Sequence, residues 1–141
     1  MDLNKQKDPS QNDIKFILNL LNSNKLIDAK KEIDKQLTKF PKSSVLFNIL
    51  GAVFTNEKNL DKAISNYEKA ISLNSNYAQA YNNLGIAFHK LNKIDEAIEN
   101  YKKAISGSIN RVTHVVLSHT HTHTHTHTHD ILPRFIKHTS V

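Results

Sequence analysis

The chain has 141 residues, no cysteine, and 19 basic against 13 acidic side chains, a formal charge of +6. That composition excludes a disulfide framework and a thiolate metal site, and no apolar run reaches the ~18 residues a bilayer span needs. Lysines mix with acids, as in Lys30-Lys31-Glu32 and Asp61-Lys62, which marks solvated helix faces rather than a nucleic-acid footprint.

Met1 to Asp13 is polar and of mixed charge, without the apolar core of a secretory signal, so a cytoplasmic location is expected. Pro9-Ser10 opens a helix carrying Ile14, Phe16, Ile17, Leu20 and Leu21. Leu26, Ala29, Ile33 and Leu37 mark a second helix that Pro41 closes, because proline cannot donate to the helical ladder. Ser43 or Ser44 is the expected N-cap of a third, with Phe47, Leu50, Gly51 and Phe54 on one face. Leu60, Ala63, Ile64, Tyr67, Ala70 and Ile71 form a fourth stripe, followed by the turn cluster Asn74-Ser75-Asn76. Tyr81, Leu84, Ile86, Ala87, Phe88 and Leu91 form a fifth. After Lys90-Leu91-Asn92-Lys93 breaks the run, Ile94, Ala97, Ile98, Tyr101, Ala104 and Ile105 form a sixth. Spacings of three and four residues predict amphipathic helices, and short breaks predict antiparallel hairpins.

The stripes recur every 34 positions: Leu50-Gly51 falls on Leu84-Gly85, Ala63-Ile64 on Ala97-Ile98, Tyr67 on Tyr101, and Ala70-Ile71 on Ala104-Ile105. A fixed period of this length marks stacked repeats, none of which buries its apolar face alone. The expected units are 10–43, 44–77 and 78–106, after a polar segment over 1–9. Gly51 and Gly85 lie inside helices, where glycine costs ~1 kcal/mol relative to alanine. Close approach of a second helix offsets that cost, with alanines such as Ala97 and Ala104 facing the contact and Phe88 and Tyr101 filling the space beside it. The first unit is degenerate, with Ile17 for the glycine and Gln36 for an alanine.

Tyr81, Leu84-Gly85, Phe88, Ala97, Tyr101 and Ala104 resemble the tetratricopeptide repeat, as do Phe47, Leu50-Gly51, Phe54, Ala63, Tyr67 and Ala70. In the first unit, only Ala29 and Pro41 match well. The resemblance implies an all-α, right-handed α-solenoid of three hairpins over residues 10–106, with the first helices lining a concave groove. It implies a non-enzymatic interaction scaffold, without cofactor, that binds a peptide or partner helix there. The groove would carry Asn48, Ala52, Thr55 and Asn56 from the second repeat. From the third come Gln79, Asn82, Asn83, Ile86, His89 and Lys90. Asparagine amides both donate and accept, so they suit an extended backbone of varied sequence. Members that clamp a chaperone's C-terminal carboxylate use Lys and Arg where this chain has Ile14, Leu18, Ile49, Gln79 and Asn83, so no chaperone-tail binding is expected. Tyr81-Asn82-Asn83-Leu84-Gly85 also resembles the repeats that precede protein-modifying glycosyltransferases. Asn83 aligns with Ile49 and Lys15, however, so no asparagine ladder runs through the stack. The alternative reading is the front end of a larger glycosyltransferase- or sulfotransferase-type enzyme.

Composition changes near Gly107. Both arginines, Arg111 and Arg134, and eight of nine histidines lie beyond it, while fifteen of sixteen asparagines precede it. Residues 107–141 are expected to be a disordered tail, with Val115-Val116-Leu117 at most a β fragment. His119 to His129 alternates His and Thr, as a CA dinucleotide repeat would encode, which suggests a microsatellite or frameshift origin. His119, His121, His123, His125, His127 and His129 are weak metal candidates, since imidazole suits Zn, Ni and Cu but no carboxylate shell orients them. A third reading is therefore metal handling by the tail. No catalytic residue, nucleic-acid contact or membrane contact is expected. The uncovered side of Ile98 and Ile105 points to self-association through the last repeat.

Overall fold

In a computed structural model of the chain, residues 6–119 are described, with side chains to residue 110. Six helices follow in order, α1 (Gln11–Asn22), α2 (Leu26–Lys39), α3 (Ser44–Asn56), α4 (Leu60–Leu73), α5 (Ala78–Lys90) and α6 (Ile94–His119). There is no strand among the described residues, and no described helix is long and apolar enough to cross a membrane. The chain divides into two compact units, Met1–Gly107 and Ser108–Val141. The first is an all-α solenoid of three hairpins, α1–α2, α3–α4 and α5–α6. Of the second, the structure describes the C-terminal portion of α6.

The helix starts follow from short polar side chains. Ser10 caps α1, accepting the Asp13 N–H at 3.1 Å while donating to the Asp13 carboxylate at 2.6 Å. Ser43, rather than Ser44, caps α3 through the Leu46 N–H, which satisfies an orphan donor of the first turn. The Ser43 hydroxyl donates to Asp8 at 2.5 Å. Buried Pro9 and this bond tie the expected polar lead-in to the second repeat.

Each hairpin turn is built the same way. Asn24, Lys58 and Asn92, 34 residues apart, all take positive φ near 60°. The following N–H groups of Lys25, Asn59 and Lys93 reach back to the carbonyls of Leu20, Phe54 and Phe88 at 2.9 Å. The left-handed residues' own N–H groups bond to Leu21, Thr55 and His89. This is the Schellman closure, which satisfies carbonyls that would otherwise end the helix unpaired.

Packing inside the hairpins turns on small residues. A Cβ placed on Gly51 would lie 2.5 Å from the Tyr67 ring, and one on Gly85 would lie 2.7 Å from the Tyr101 ring. Ala63, Ala70 and Ala97 are buried beside these contacts. In the first hairpin, the two paired positions hold Ile17 and Ile33, both fully buried in one core cluster. Two medium side chains there replace one absent and one large side chain, and the helices of this hairpin stand less closely together than α3 and α4. The paired change keeps the position filled by apolar groups. Gln36 of the same hairpin is buried and donates to Glu32 at 3.0 Å, so the polar group at an alanine position is not left unsatisfied. Between hairpins, Lys30 pairs with Glu57 at 2.6 Å, and the Lys30 and Lys62 ammonium groups sit 5.6 and 5.5 Å from the Phe54 ring centre.

One expectation fails at the C-terminal side. Val115-Val116-Leu117 is not a β fragment, because α6 runs unbroken from Ile94 to His119, past the expected repeat boundary at 106. Gly107 does not interrupt it: a Cβ there would meet Ala78 at an ordinary 3.5 Å, and an internal glycine weakens a helix by only ~1 kcal/mol. The expected disordered tail over 107–141 is thus helical as far as His119, and residues 120–141, with the His-Thr alternation beyond His119, lie outside the described residues.

Two stability outcomes follow. Gly51→Ile alone should destabilise the protein by about 1–3 kcal/mol in urea unfolding, through overpacking against Tyr67. Adding Tyr67→Ile should recover much of that loss by recreating the Ile17–Ile33 arrangement, and a merely additive double variant would contradict the exchange. Lys58→Gly should raise stability by roughly 0.5–1 kcal/mol, because a side chain in the left-handed region costs ~1–2 kcal/mol and glycine's entropy returns part of it. Asn24→Gly should change stability less.

Candidate functional site

Helices α3 and α5 touch directly, which puts the first helices of the second and third hairpins side by side. The repeat register gives α1 the equivalent place, and the exposed residues of the three first helices share one set of repeat positions. At one of these positions stands an aliphatic ladder, Leu18, Ala52 and Ile86: Leu18 and Ile86 are each 37% exposed, and Ala52 is half-buried. The central residue of the ladder is the small one, with larger side chains at the equivalent places before and after it. One turn further along, the exposed polar residues Asn22, Asn56 and Lys90 form one margin.

The ten groove candidates fall into two groups. Asn56, Gln79, Asn82, Ile86, His89 and Lys90 are exposed, and Ala52 is half-buried, all with side chains available to a ligand. Asn48, Asn83 and Thr55 are instead engaged within the protein. Asn48 is only 5% exposed. Its Oδ1 accepts from Asn83 Nδ2 at 3.0 Å, and its Nδ2 donates to the Tyr77 hydroxyl at 3.3 Å. Thr55 Oγ1 donates to the Gly51 carbonyl at 3.0 Å and lies 3.0 Å from the Tyr67 hydroxyl. Asn48 is thus a tie between repeats: a buried amide that lost these partners would pay its full desolvation cost. The sequence points to Ala52 and Ile86 but puts Leu18 at a clamp place; the 34-residue register identifies it as their equivalent.

The electrostatics of these helices are one-sided. The three first helices carry one carboxylate, Asp13, which is held by Ser10. Lys15, His89 and Lys90 are exposed on the same helices. Burial pushes the Tyr67 phenol above its ordinary value of 10.0, partly opposed by its bond to Thr55. Burial likewise raises Tyr77, against the bond from Asn48. Both hydroxyls stay neutral near pH 7 and serve as hydrogen-bonding posts rather than as bases. Among the described residues, no three His, Cys, Asp or Glu side chains gather to hold a metal ion. The weak histidine candidates lie outside the described side chains.

Comparison with known proteins agrees with this geometry. A family model described as TPR repeat matches residues 51–92. A crystal structure of MamA superimposes with a TM-score of 0.66 at 21% identity, over 77% of this chain and 63% of that one. The Sgt2 TPR domain from Aspergillus fumigatus gives 0.67 at 19% identity, over 75% and 72%. The first TPR of Spaghetti (RPAP3), bound to the HSP90 peptide SRMEEVD, gives 0.65 at 23% identity, over 70% and 80%. The chain thus spans somewhat under two thirds of the length of MamA. No curated protein matches significantly. With the three hairpins and the glycine–tyrosine contacts of the second and third, these findings define a repeat scaffold: residues 51–92 match the TPR repeat, and the fold is that of tetratricopeptide-repeat solenoids.

Replacing Asn48 with Leu should cost about 1–3 kcal/mol, because Tyr77 and Asn83 lose a buried partner. Tyr77→Phe removes one bond of that set and should cost less, ~0.5–1.5 kcal/mol. Thermal melts of the two variants check the order. An Asn48→Leu protein as stable as the parent would place Asn48 back among the ligand-facing groups.

Proposed function

We propose that the chain is a non-enzymatic, cytoplasmic interaction scaffold that holds a peptide or partner helix along the exposed residues of its first helices, without cofactor, nucleic acid or membrane. The observation that carries this reading is the ladder of Leu18, Ala52 and Ile86, exposed at equivalent places on consecutive first helices. An aliphatic line with polar margins gives apolar anchoring at its centre and hydrogen bonds at its sides, which is how compact recognition sites divide affinity and orientation. Asn56, Gln79 and Asn82 supply donors and acceptors for a backbone, and His89 and Lys90 favour a neutral or acidic ligand over a basic one. The peptide held by the first TPR of Spaghetti supports the use of this fold for peptides. It does not carry the choice of peptide, because this chain has Ile14, Leu18, Ile49, Gln79 and Asn83 where the chaperone-binding members resemble one another in Lys and Arg. Self-association through the last repeat belongs to the same reading.

Panning a random displayed-peptide library against the full chain tests it. Peptides should be enriched that bind the parent and lose about tenfold or more in affinity with Ile86→Glu, the effect of ~1.4 kcal/mol. They should be indifferent to Ile27→Ser, an exposed position on a second helix. Absence of enrichment, or enrichment untouched by Ile86→Glu, would overturn the groove. The labelled peptide SRMEEVD should show no submicromolar binding, and such binding would overturn the argument from the missing cations.

A further inference from the structure

The two ends of the stack are finished differently. Helices α3 and α5 pack on the preceding repeat through Leu46 and Ala80, through Val53 and Ala87, and through Ile49, all buried. The matching places on α1 hold Asn12, Asn19 and Lys15, all exposed. Only Phe16, at the place of Leu50 and Leu84, keeps an apolar side chain there, and it is 53% exposed. That end is made for water. The opposite end is not. On α4, the residues Leu60, Ile64 and Ile71 are half-buried, with Ile64 and Ile71 packed against the cluster that includes Leu84 and Ala87 of α5. Their equivalents on α6, Ile94, Ile98 and Ile105, are 43%, 46% and 59% exposed. Three isoleucines within an arc of about 40° on one helix make a seam with no cover among the described residues.

We propose that a second copy of this chain covers the seam, by two-fold antiparallel pairing of α6 with α6. A head-to-tail contact would place Asn12, Lys15 and Asn19 against the isoleucines, burying an ammonium group and two amides without partners. A two-fold contact places isoleucine on isoleucine, as an isologous interface requires of a self-complementary patch. The flanking charges choose the direction. Asp95 and Lys102 are seven residues apart, so they lie on the same flank of the seam. When two helices pair antiparallel about a two-fold axis, like flanks meet, and the acidic start of one lies along the basic continuation of the other. Asp95 then faces Lys102 of the second copy, twice. In a parallel pair, this flank would meet the opposite one, and the match would be lost. An interface of one helix per copy lies at the small end of specific contacts, so the association is weak and concentration-dependent. It uses no residue of the groove, so its failure and that of peptide binding are separate outcomes.

Sedimentation of the full chain, at concentrations up to about 1 mM, the weak end of specific affinities, tests the pairing. A monomer–dimer equilibrium is expected. Ile98→Glu and Ile105→Glu should each weaken dimerisation about tenfold or more, with helical circular dichroism unchanged because both positions are exposed. Asp95→Lys and Lys102→Glu should each weaken it several-fold, and the two reversals combined in one chain should restore it. A strict monomer would overturn the proposal, as would a dimer indifferent to the isoleucine variants. An open series of larger species abolished by Phe16→Glu would replace it with head-to-tail stacking. Failure of the combined reversal to restore association would overturn the antiparallel arrangement.

Discussion

The contact between a missing side chain and a tyrosine ring organises this molecule. At Gly51 and Gly85 the first helix of a hairpin comes so near the second that a single Cβ would enter the ring of Tyr67 or Tyr101. Helix–helix separations depend on the side chains at the contact, and here the separation is set by backbone against ring. Beside that contact Ala63, Ala70 and Ala97 are buried, and Phe54, Leu84 and Phe88 of the first helices pack into the same cluster as Tyr67. The tyrosine hydroxyl adds direction. Tyr67 reaches past the glycine to Thr55, which in turn holds the Gly51 carbonyl. Close packing and a hydrogen-bonded rim thus come from one residue pair, and the pair repeats because the chain does.

The first hairpin shows that the constraint concerns volume and not identity. Ile17 and Ile33 fill between them the space that glycine and tyrosine fill elsewhere. Read one position at a time, Ile17 is a departure from the pattern. Read as a pair with Ile33, it is the same pattern with mass moved from one helix to the other. This is why the family resemblance is thin in residues 10–43 although the hairpin forms, with its helices less closely apposed than α3 and α4.

The legible and the hidden parts of the structure divide along the same line. Helices, hairpins and their order follow from the 34-residue period, because burial at three- and four-residue spacing leaves its mark on residue type. The hairpin turns do not, because a left-handed residue is required at one place but Asn24, Lys58 and Asn92 meet it with different chemistry. The continuation of α6 past Gly107 is hidden for a related reason. Glycine, serine and β-branched residues argue against helix only by fractions of a kcal/mol each, and a helix already packed over three turns absorbs them. The exposed positions were half legible. The period gives Ala52 and Ile86 equivalent places, but it does not separate Asn56, which is exposed, from Asn48, which is not. That distinction depends on Tyr77 and Asn83, 29 and 35 residues away.

The polar residues of the first helices therefore serve two ends of one problem. A solenoid must bury polar ties between repeats to fix their relative rotation, and it must leave polar groups on the inner face for a ligand. Asn48 and Asn83 hold α3 to α5 by an amide–amide bond, an interaction that apolar contacts between helices do not supply with the same directionality. That bond sits directly beside the ladder of Leu18, Ala52 and Ile86 in the repeat register. The residues that tie α3 to α5 are thus neighbours in register of the residues exposed at the ladder, so the same stretch of helix carries both a buried tie and an exposed aliphatic position.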